Sequence, residues 1–384
     1  MNFDFATSNR ILFGRGKLSQ AGEIAAQMGT MAFLVTGTGK AQPERVQALL
    51  EEKGIGWAAF PVSGEPTVEL AHQAVTAAKE ARADLVIGFG GGSVLDTAKA
   101  VSGMLTNPGE LMDYLEVVGA NQPLHHPAAP MLAIPTTAGT GTEVTRNAVL
   151  AVPEKKVKVS LRSSYILPKV SLIDPELTYT LPAGVTASTG MDALTQVLEP
   201  FVSVRANAMT DMFCREGLAR AGKSLLQAYR QGDDVTARED MAWASLLGGL
   251  SLANAGLGAA HGFAGPLGGM FDAPHGAVCA RLLPIVVDVN VKALERRSPG
   301  HPALERYREA AGLLTGDPAA SVAQGVRWIE ELCAALDIPS FSTYGIRPAD
   351  LPLLVEKAAV SSSMKGNPIV LEKSEMMEIL EQAL

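Results

Sequence analysis

The chain has 384 residues, 47% of them apolar, which is more than one compact core usually serves, so two domains are expected. With 32 basic residues against 40 acidic ones, the net charge of -8 gives no general attraction for phosphate backbones or anionic membranes, and no nucleic-acid partner is expected. The N-terminus lacks a basic start followed by an apolar run, and no uninterrupted apolar span follows, so a cytoplasmic protein without a membrane segment is expected.

An apolar run over residues 31–35 ends in Thr36-Gly37-Thr38-Gly39 and is followed by helical spacing through Val46, Leu49 and Leu50. Residues 55–60 form the next predicted strand, and Val68, Leu70, Ala71, Ala74, Val75 and Ala78 the next helix face. Strands are predicted again over residues 84–89, 131–134, 148–152 and 170–173, and this alternation argues for a mainly parallel sheet covered on both faces. From Pro182 onward helical spacing dominates, with predicted helices over residues 207–229, 237–253, 304–313 and 320–336, and with Gly and Pro marking breaks. A further helix begins at Arg347-Pro348, and a last one ends at Leu384. The expected fold is an α/β domain over residues 1–180 followed by an all-helical domain over residues 181–384. Cys214, Cys279 and Cys333 are widely separated without CxxC spacing, and all three read as structural.

The strongest local signal is Asp84-Leu85-Val86-Ile87-Gly88-Phe89-Gly90-Gly91-Gly92-Ser93, a strand that passes through three glycines into a helix containing Asp96. Glycine lets a phosphate approach the backbone closely, and the amides of a helix start have no intrahelical acceptor. Ser93 is the expected N-cap and phosphate contact. The spacing is not GxGxxG, so it does not by itself identify a dinucleotide, and a tight ligand-free turn is the competing, weaker reading. A second polar turn, Pro135-Thr136-Thr137-Ala138-Gly139-Thr140-Gly141-Thr142-Glu143, follows a strand and so lies at the carboxyl edge of the sheet, where open α/β folds bind ligands. Thr137 and Thr140 are candidates for holding phosphate or a carboxamide.

In the helical half, Asp192 and Gln196 stand four residues apart on one helix face, and His261 and His275 lie downstream. One carboxylate and two imidazoles can hold Zn(II) or Fe(II), with the Gln196 amide oxygen completing the shell, although either histidine alone reads equally as a packed residue bonded to backbone. Phe201, Phe263, Met270 and Phe271 either line an apolar pocket beside these residues or belong to the core.

The segments GGGSVLDTAKA, PTTAGTGTEVT, GMDALTQVLEP and HGFAGPLGGMFDAPHG occur in an order and spacing that resemble the iron-containing (group III) alcohol dehydrogenase family over nearly the whole chain. The resemblance implies an α/β N-terminal dinucleotide-binding domain plus an all-helical C-terminal metal domain, the architecture shared with dehydroquinate synthase, and an active site between them. It also implies NAD or NADP as cofactor, Fe(II) or Zn(II), a small alcohol or carbonyl substrate, and a homodimer. Carried over by position, Gly90, Gly91, Gly92 and Ser93, followed by Asp96, match the pyrophosphate loop, and Thr136, Thr137 and Thr140 match the second cofactor loop. Asp192, His261 and His275 match catalytic metal ligands. The family usually has histidine where this chain has Gln196, a poorer neutral ligand, and often a second histidine where it has Gly265.

The family commonly selects NAD with an Asp soon after the first strand of the cofactor domain; here Gly37 follows Thr36, and no acidic residue appears before Glu44. Losing that carboxylate removes both the ribose hydrogen bonds and the repulsion of a 2′-phosphate, which Lys40 would attract, so NADP(H) is expected to be accepted. Glycerol dehydrogenase-like and maleylacetate reductase-like enzymes share the architecture and stay open as readings. A dehydroquinate synthase-like cyclase would need a basic phosphate pocket, for which the segment from Asp192 to His275 offers few residues, Arg205, Arg215 and Arg220 among them. A non-catalytic dinucleotide sensor also stays open, because Gln196 and Gly265 replace residues expected to help chemistry while both cofactor loops are intact.

Overall fold

The computed structural model describes residues 2–39 and 42–384, so Lys40 lies outside the described residues. Two compact units emerge. One comprises Ala6–Thr137 and Gly141–Leu181; the other comprises Pro182–Leu384 together with Ala138–Thr140 and the N-terminal segment through Phe5.

The first unit runs β1 (Arg10–Phe13), α1 (Ala21–Ala26), β2 (Met31–Gly37), α2 (Pro43–Glu52), β3 (Gly56–Val62) and α3 (Val68–Glu80). It continues through β4 (Leu85–Gly90), α4 (Gly92–Thr106), α5 (Leu111–Tyr114), β5 (Met131–Pro135), β6 (Asn147–Val152), β7 (Val157–Arg162) and β8 (Val170–Ile173). In the order β1-β8-β5-β4-β2-β3 six strands form a sheet in which every neighbouring pair is parallel. Successive residues of β2 serve opposite cores, as side chains in a strand must: Leu34 packs with Ile24, Val46 and Leu50, while Phe33 and Val35 pack with Ala71, Val75 and Val101. Both faces are therefore covered, which is why β4 and β5 are continuous buried runs instead of alternating ones.

The predicted strand over residues 148–152 does not join this sheet. It forms β6, which pairs antiparallel with β7 in a separate two-stranded ribbon. The ribbon is fastened to α4 by Lys99, whose fully buried Nζ donates to Thr142 Oγ1 at 2.7 Å, Thr145 Oγ1 at 2.8 Å and the Asn147 carbonyl at 2.9 Å. All three ammonium protons thus have acceptors, the condition under which a buried cation is tolerated.

The helical unit contains α6 (Ala183–Val202), α7 (Ala208–Arg230), α8 (Val235–Ala255), α9 (Ala259–Met270) and α10 (His275–Arg297). It ends with α11 (Pro302–Thr315), α12 (Val322–Ala335), α13 (Leu351–Ala359) and α14 (Lys373–Ala383). Helices α6, α7 and α8 pack on one another. Helix α10 serves two cores, with Ala280, Leu283 and Val287 in one and Val278, Leu282 and Val286 in the other. Proline does not break the chain where spacing alone suggests: Pro200, Pro266 and Pro284 lie inside α6, α9 and α10. These helices bury most of their surface, and that packing outweighs the roughly 3 kcal/mol an interior proline costs. Among the described residues no helix is long and apolar enough to cross a membrane.

Burial also raises the Glu143 carboxyl to about 7. Its folded value exceeds its unfolded one, so this group favours the fold most below about pH 4.5, and the benefit is lost as pH rises through about 7. Glu143→Gln is expected to flatten the decline of stability across that window, measured by urea denaturation at stepped pH; an unchanged slope would mean that Glu143 is not its source.

Candidate active site

At the carboxyl edge of the sheet, β4 ends at Gly90 and α4 starts at Gly92, with Gly91 as its N-cap. Sequence reasoning gave that cap to Ser93; the structure places Ser93 as the second residue of the helix, and the close packing of Gly90 on Val94, where a Cβ would fall 2.5 Å away, keeps the turn tight. The first-turn amides of α4 remain without intrahelical acceptors, a ready anion site. The second loop meets the first: the Thr136 amide donates to the Gly90 carbonyl at 3.0 Å, and a Cβ at Gly91 would lie 3.3 Å from Thr137. Gly37 ends β2 beside β4, where an added Cβ would meet Val94 of α4 at 3.6 Å, an ordinary contact. Asp96 points elsewhere: its carboxylate accepts from Thr142 Oγ1 at 2.6 Å and the Val149 amide at 3.0 Å, so it holds the loop and ribbon in place. Thr140 packs as part of the helical unit.

In that unit α6, α9 and α10 converge on one point. Asp192 lies in α6, His261 in α9, and His275 with Cys279 in α10; one ligand atom from each of the four lies within 4.8 Å of every other. His261 Nε2 stands 3.3 Å and His275 Nε2 3.9 Å from Asp192 Oδ1, and Cys279 Sγ is 3.9 Å from His275 Nε2. Asp192 Oδ1 and His261 Nε2 are buried without a well-formed hydrogen bond, as is Gln196 Oε1. Unsatisfied buried polar atoms are rare, and here two of them face each other in a set of donors, one carboxylate, two imidazoles and one thiol, that suits a divalent cation. The residues present therefore fit Zn(II) or Fe(II).

Local sequence explains the convergence. Gly276 lets α10 approach α6 so closely that a Cβ there would fall 2.1 Å from the Ser188 carbonyl, and a Cβ at Gly258, at the start of α9, would fall 3.0 Å from Glu199 Oε1. Glu199 is buried and takes both jobs at that start: Oε1 accepts the Ala260 amide at 2.7 Å, and Oε2 lies 2.7 Å from His261 Nδ1. Holding Nδ1 fixes the ring so that Nε2 faces Asp192. The Asn367 side chain accepts the Ala259 amide at 3.2 Å, completing the cap that Gly258 cannot provide.

Charges in the cluster stabilise one another. Burial alone would raise Asp192, yet His261 and then His275 beside it hold its carboxyl below the usual range. Burial would lower both histidines, but Cys279 and Asp192 hold them above theirs, and the two rings in turn lower the buried thiol. A dication can replace the protons that otherwise balance the carboxylate and thiolate.

Two members of this site escape sequence reasoning. Glu199 follows Asp192 and Gln196 at the i, i+4, i+7 spacing of one helix face, a signal that was present. Cys279, read as structural, is corrected to a member of the cluster: it stands at i+4 from His275, a ligand spacing that a search for CxxC alone overlooks. Phe201 and Phe263 are fully buried core residues, and the guanidinium groups of Arg215 and Arg306 each lie 5.3 Å from the Phe201 ring centre. A Cβ at Gly265 would meet nothing within 4 Å, so a second histidine there would have room.

A parallel-sheet unit with a glycine turn and a helical unit whose buried donors suit a divalent cation, together with the family matches that follow, make the chain a nicotinamide-dependent oxidoreductase of alcohols and carbonyls. The family profile described as iron-containing alcohol dehydrogenase matches residues 8–175, and that of the C-terminal region of the Fe-containing alcohol dehydrogenase family matches residues 186–384; the chain belongs to this family. It is 33% identical to alcohol dehydrogenase 4 of Saccharomyces cerevisiae over 97% of this chain and 96% of that one. With 1,3-propanediol dehydrogenase of Klebsiella pneumoniae the identity is 34% over 99% and 98%. A crystal structure of 1,3-propanediol oxidoreductase superposes with a TM-score of 0.92 at 32% identity, covering all of both chains.

Glu199→Gln is expected to weaken zinc binding about 10–100-fold with the fold intact, since it loosens the ring that presents Nε2. Competition against a chromophoric chelator, with circular dichroism as control, measures it; unchanged affinity would show that Glu199 does not orient His261.

Proposed function

We propose that the chain interconverts a short primary alcohol and its aldehyde, with a divalent cation held by Asp192, His261 and His275 and with NADP(H) accepted alongside NAD(H). The observation that carries this reading is the pair of unsatisfied atoms, Asp192 Oδ1 and His261 Nε2, in a buried donor cluster. When bound, the cation polarises the substrate oxygen and the nicotinamide exchanges hydride with the carbon bearing it. The chain's own residues prepare this. Gly90, Gly91, Gly92 and Ser93 present the amides that receive pyrophosphate, supported by Thr136 and Thr137. Asp192 and His261 sit in the dry interior, whereas the His275 side chain is 34% exposed and marks the side from which a substrate oxygen can approach. Gly265 carries no proton, so proton exchange falls to substrate, solvent or cofactor hydroxyls.

The likeness to a 1,3-propanediol dehydrogenase supports a small primary alcohol as substrate, and the family resemblance supports a cytoplasmic homodimer, which sedimentation of the purified chain would test. Activity toward a panel of short alcohols, aldehydes and keto acids is expected to vanish on chelation and return with Zn(II) or Fe(II). Activity untouched by complete metal removal, or confined to keto acids, would overturn the proposal.

Cofactor choice has its own test. Gly37 has room for a side chain, so Gly37→Asp is expected to shift the kcat/KM ratio toward NADH by roughly tenfold or more. No shift would mean that position 37 does not face the ribose, and a comparable preference for NADH in the unmodified chain would defeat NADP(H) acceptance.

A further inference from the structure

The family pattern puts histidine where this chain has Gln196, which leaves open how the cation completes its protein shell. We propose that Cys279 supplies the fourth ligand as a thiolate, making an Asp192-His261-His275-Cys279 centre that selects zinc over iron; this rests on the metal-dependent reading above.

Three observations support the substitution. A tetrahedral zinc site with bonds of about 2.0–2.3 Å has ligand atoms roughly 3.2–3.8 Å apart. The separations of 3.3, 3.9 and 3.9 Å that link His261, Asp192, His275 and Cys279 are already near those edges. Second, Cys279 is fully buried beside two unsatisfied polar atoms, His261 Nε2 and Asp192 Oδ1, so the thiol sits where a ligand is needed. Third, the charges balance: carboxylate plus thiolate neutralise a dication, whereas one carboxylate and neutral donors leave a net positive charge in a buried place, which is costly.

Gln196 stands one helical turn from Asp192 on α6, and its neutral amide is a weaker donor to a dication than a thiolate. The other two cysteines cannot substitute, since Cys214 and Cys333 are buried outside the cluster and Cys333 Sγ donates to the Ala280 carbonyl. On binding, the Cys279 proton, whether held on sulfur or passed to an imidazole, leaves to solvent together with any proton on the ligating imidazole nitrogens, and the sulfur lone pair goes to the metal with no change of oxidation state. A soft thiolate favours zinc, while sites of oxygen and imidazole ligands discriminate less between zinc and iron.

The test uses the full chain, stripped and reloaded with one equivalent of Zn(II) or Co(II). X-ray absorption at the zinc edge is expected to show one sulfur scatterer at about 2.3 Å. The Co(II) form is expected to show thiolate-to-metal absorption in the near ultraviolet that Cys279→Ser abolishes and Gln196→Ala retains. Cys279→Ser should weaken zinc binding at least about tenfold and reduce the anaerobic preference for zinc over Fe(II). A loaded centre with only nitrogen and oxygen scatterers would overturn the thiolate assignment and leave the metal-dependent reading standing. Failure of the unmodified chain to bind any divalent metal would overturn both. The scattering measurement needs no variant, so misfolding of Cys279→Ser cannot obscure the answer.

Discussion

A carboxylate in the dry interior of a helical unit is the constraint around which this half of the molecule is organised. Asp192 is 2% exposed, and an ionised group so placed is tolerated only with opposite charge or hydrogen-bond donors close by. Each nearby feature answers that demand. Gly276 and Gly258 thin the backbone so that α10 and α9 can reach α6, and Glu199 turns the His261 ring toward the carboxylate. The sequence spends glycines, with their conformational cost, where helices must touch.

Two other buried polar networks make a useful contrast. Lys99 has three acceptors, and Asn290, Asn367 and Tyr307 satisfy one another while Asn367 also caps α9. Those networks are closed, and closed networks fix structure. The cluster at Asp192 is open, with a carboxylate oxygen and an imidazole nitrogen left unsatisfied. Open polarity shared by four converging donors of metal-ligand type marks a place suited to binding as well as folding.

How much was legible in the sequence follows from which physics is local. The strands β2, β4, β5 and β8 and the glycine turn announce themselves through apolar runs and backbone demands within a few residues. Asp192 and the two histidines stand out by chemical type. Strand β1 is short and half exposed, and β7 hides its alternation among charged residues, so neither is visible before its partner is known. The continuity of α9 and α10 through Pro266 and Pro284 is set by surrounding helices. Glu199 and Cys279 look ordinary until α9 and α10 are laid against α6, because what distinguishes them is distance across the fold.

Helix α10 carries both His275 and Cys279 at its N-terminal end while its length fills two separate cores. A ligand that binds the assembled cluster but not the unfolded chain adds its binding free energy to that of folding. A cation held there would act on a helix shared by both cores, and so would tie the stability of both to its occupancy. Loss of a bound cation would then lower resistance to unfolding as well as remove the chemistry it supplies.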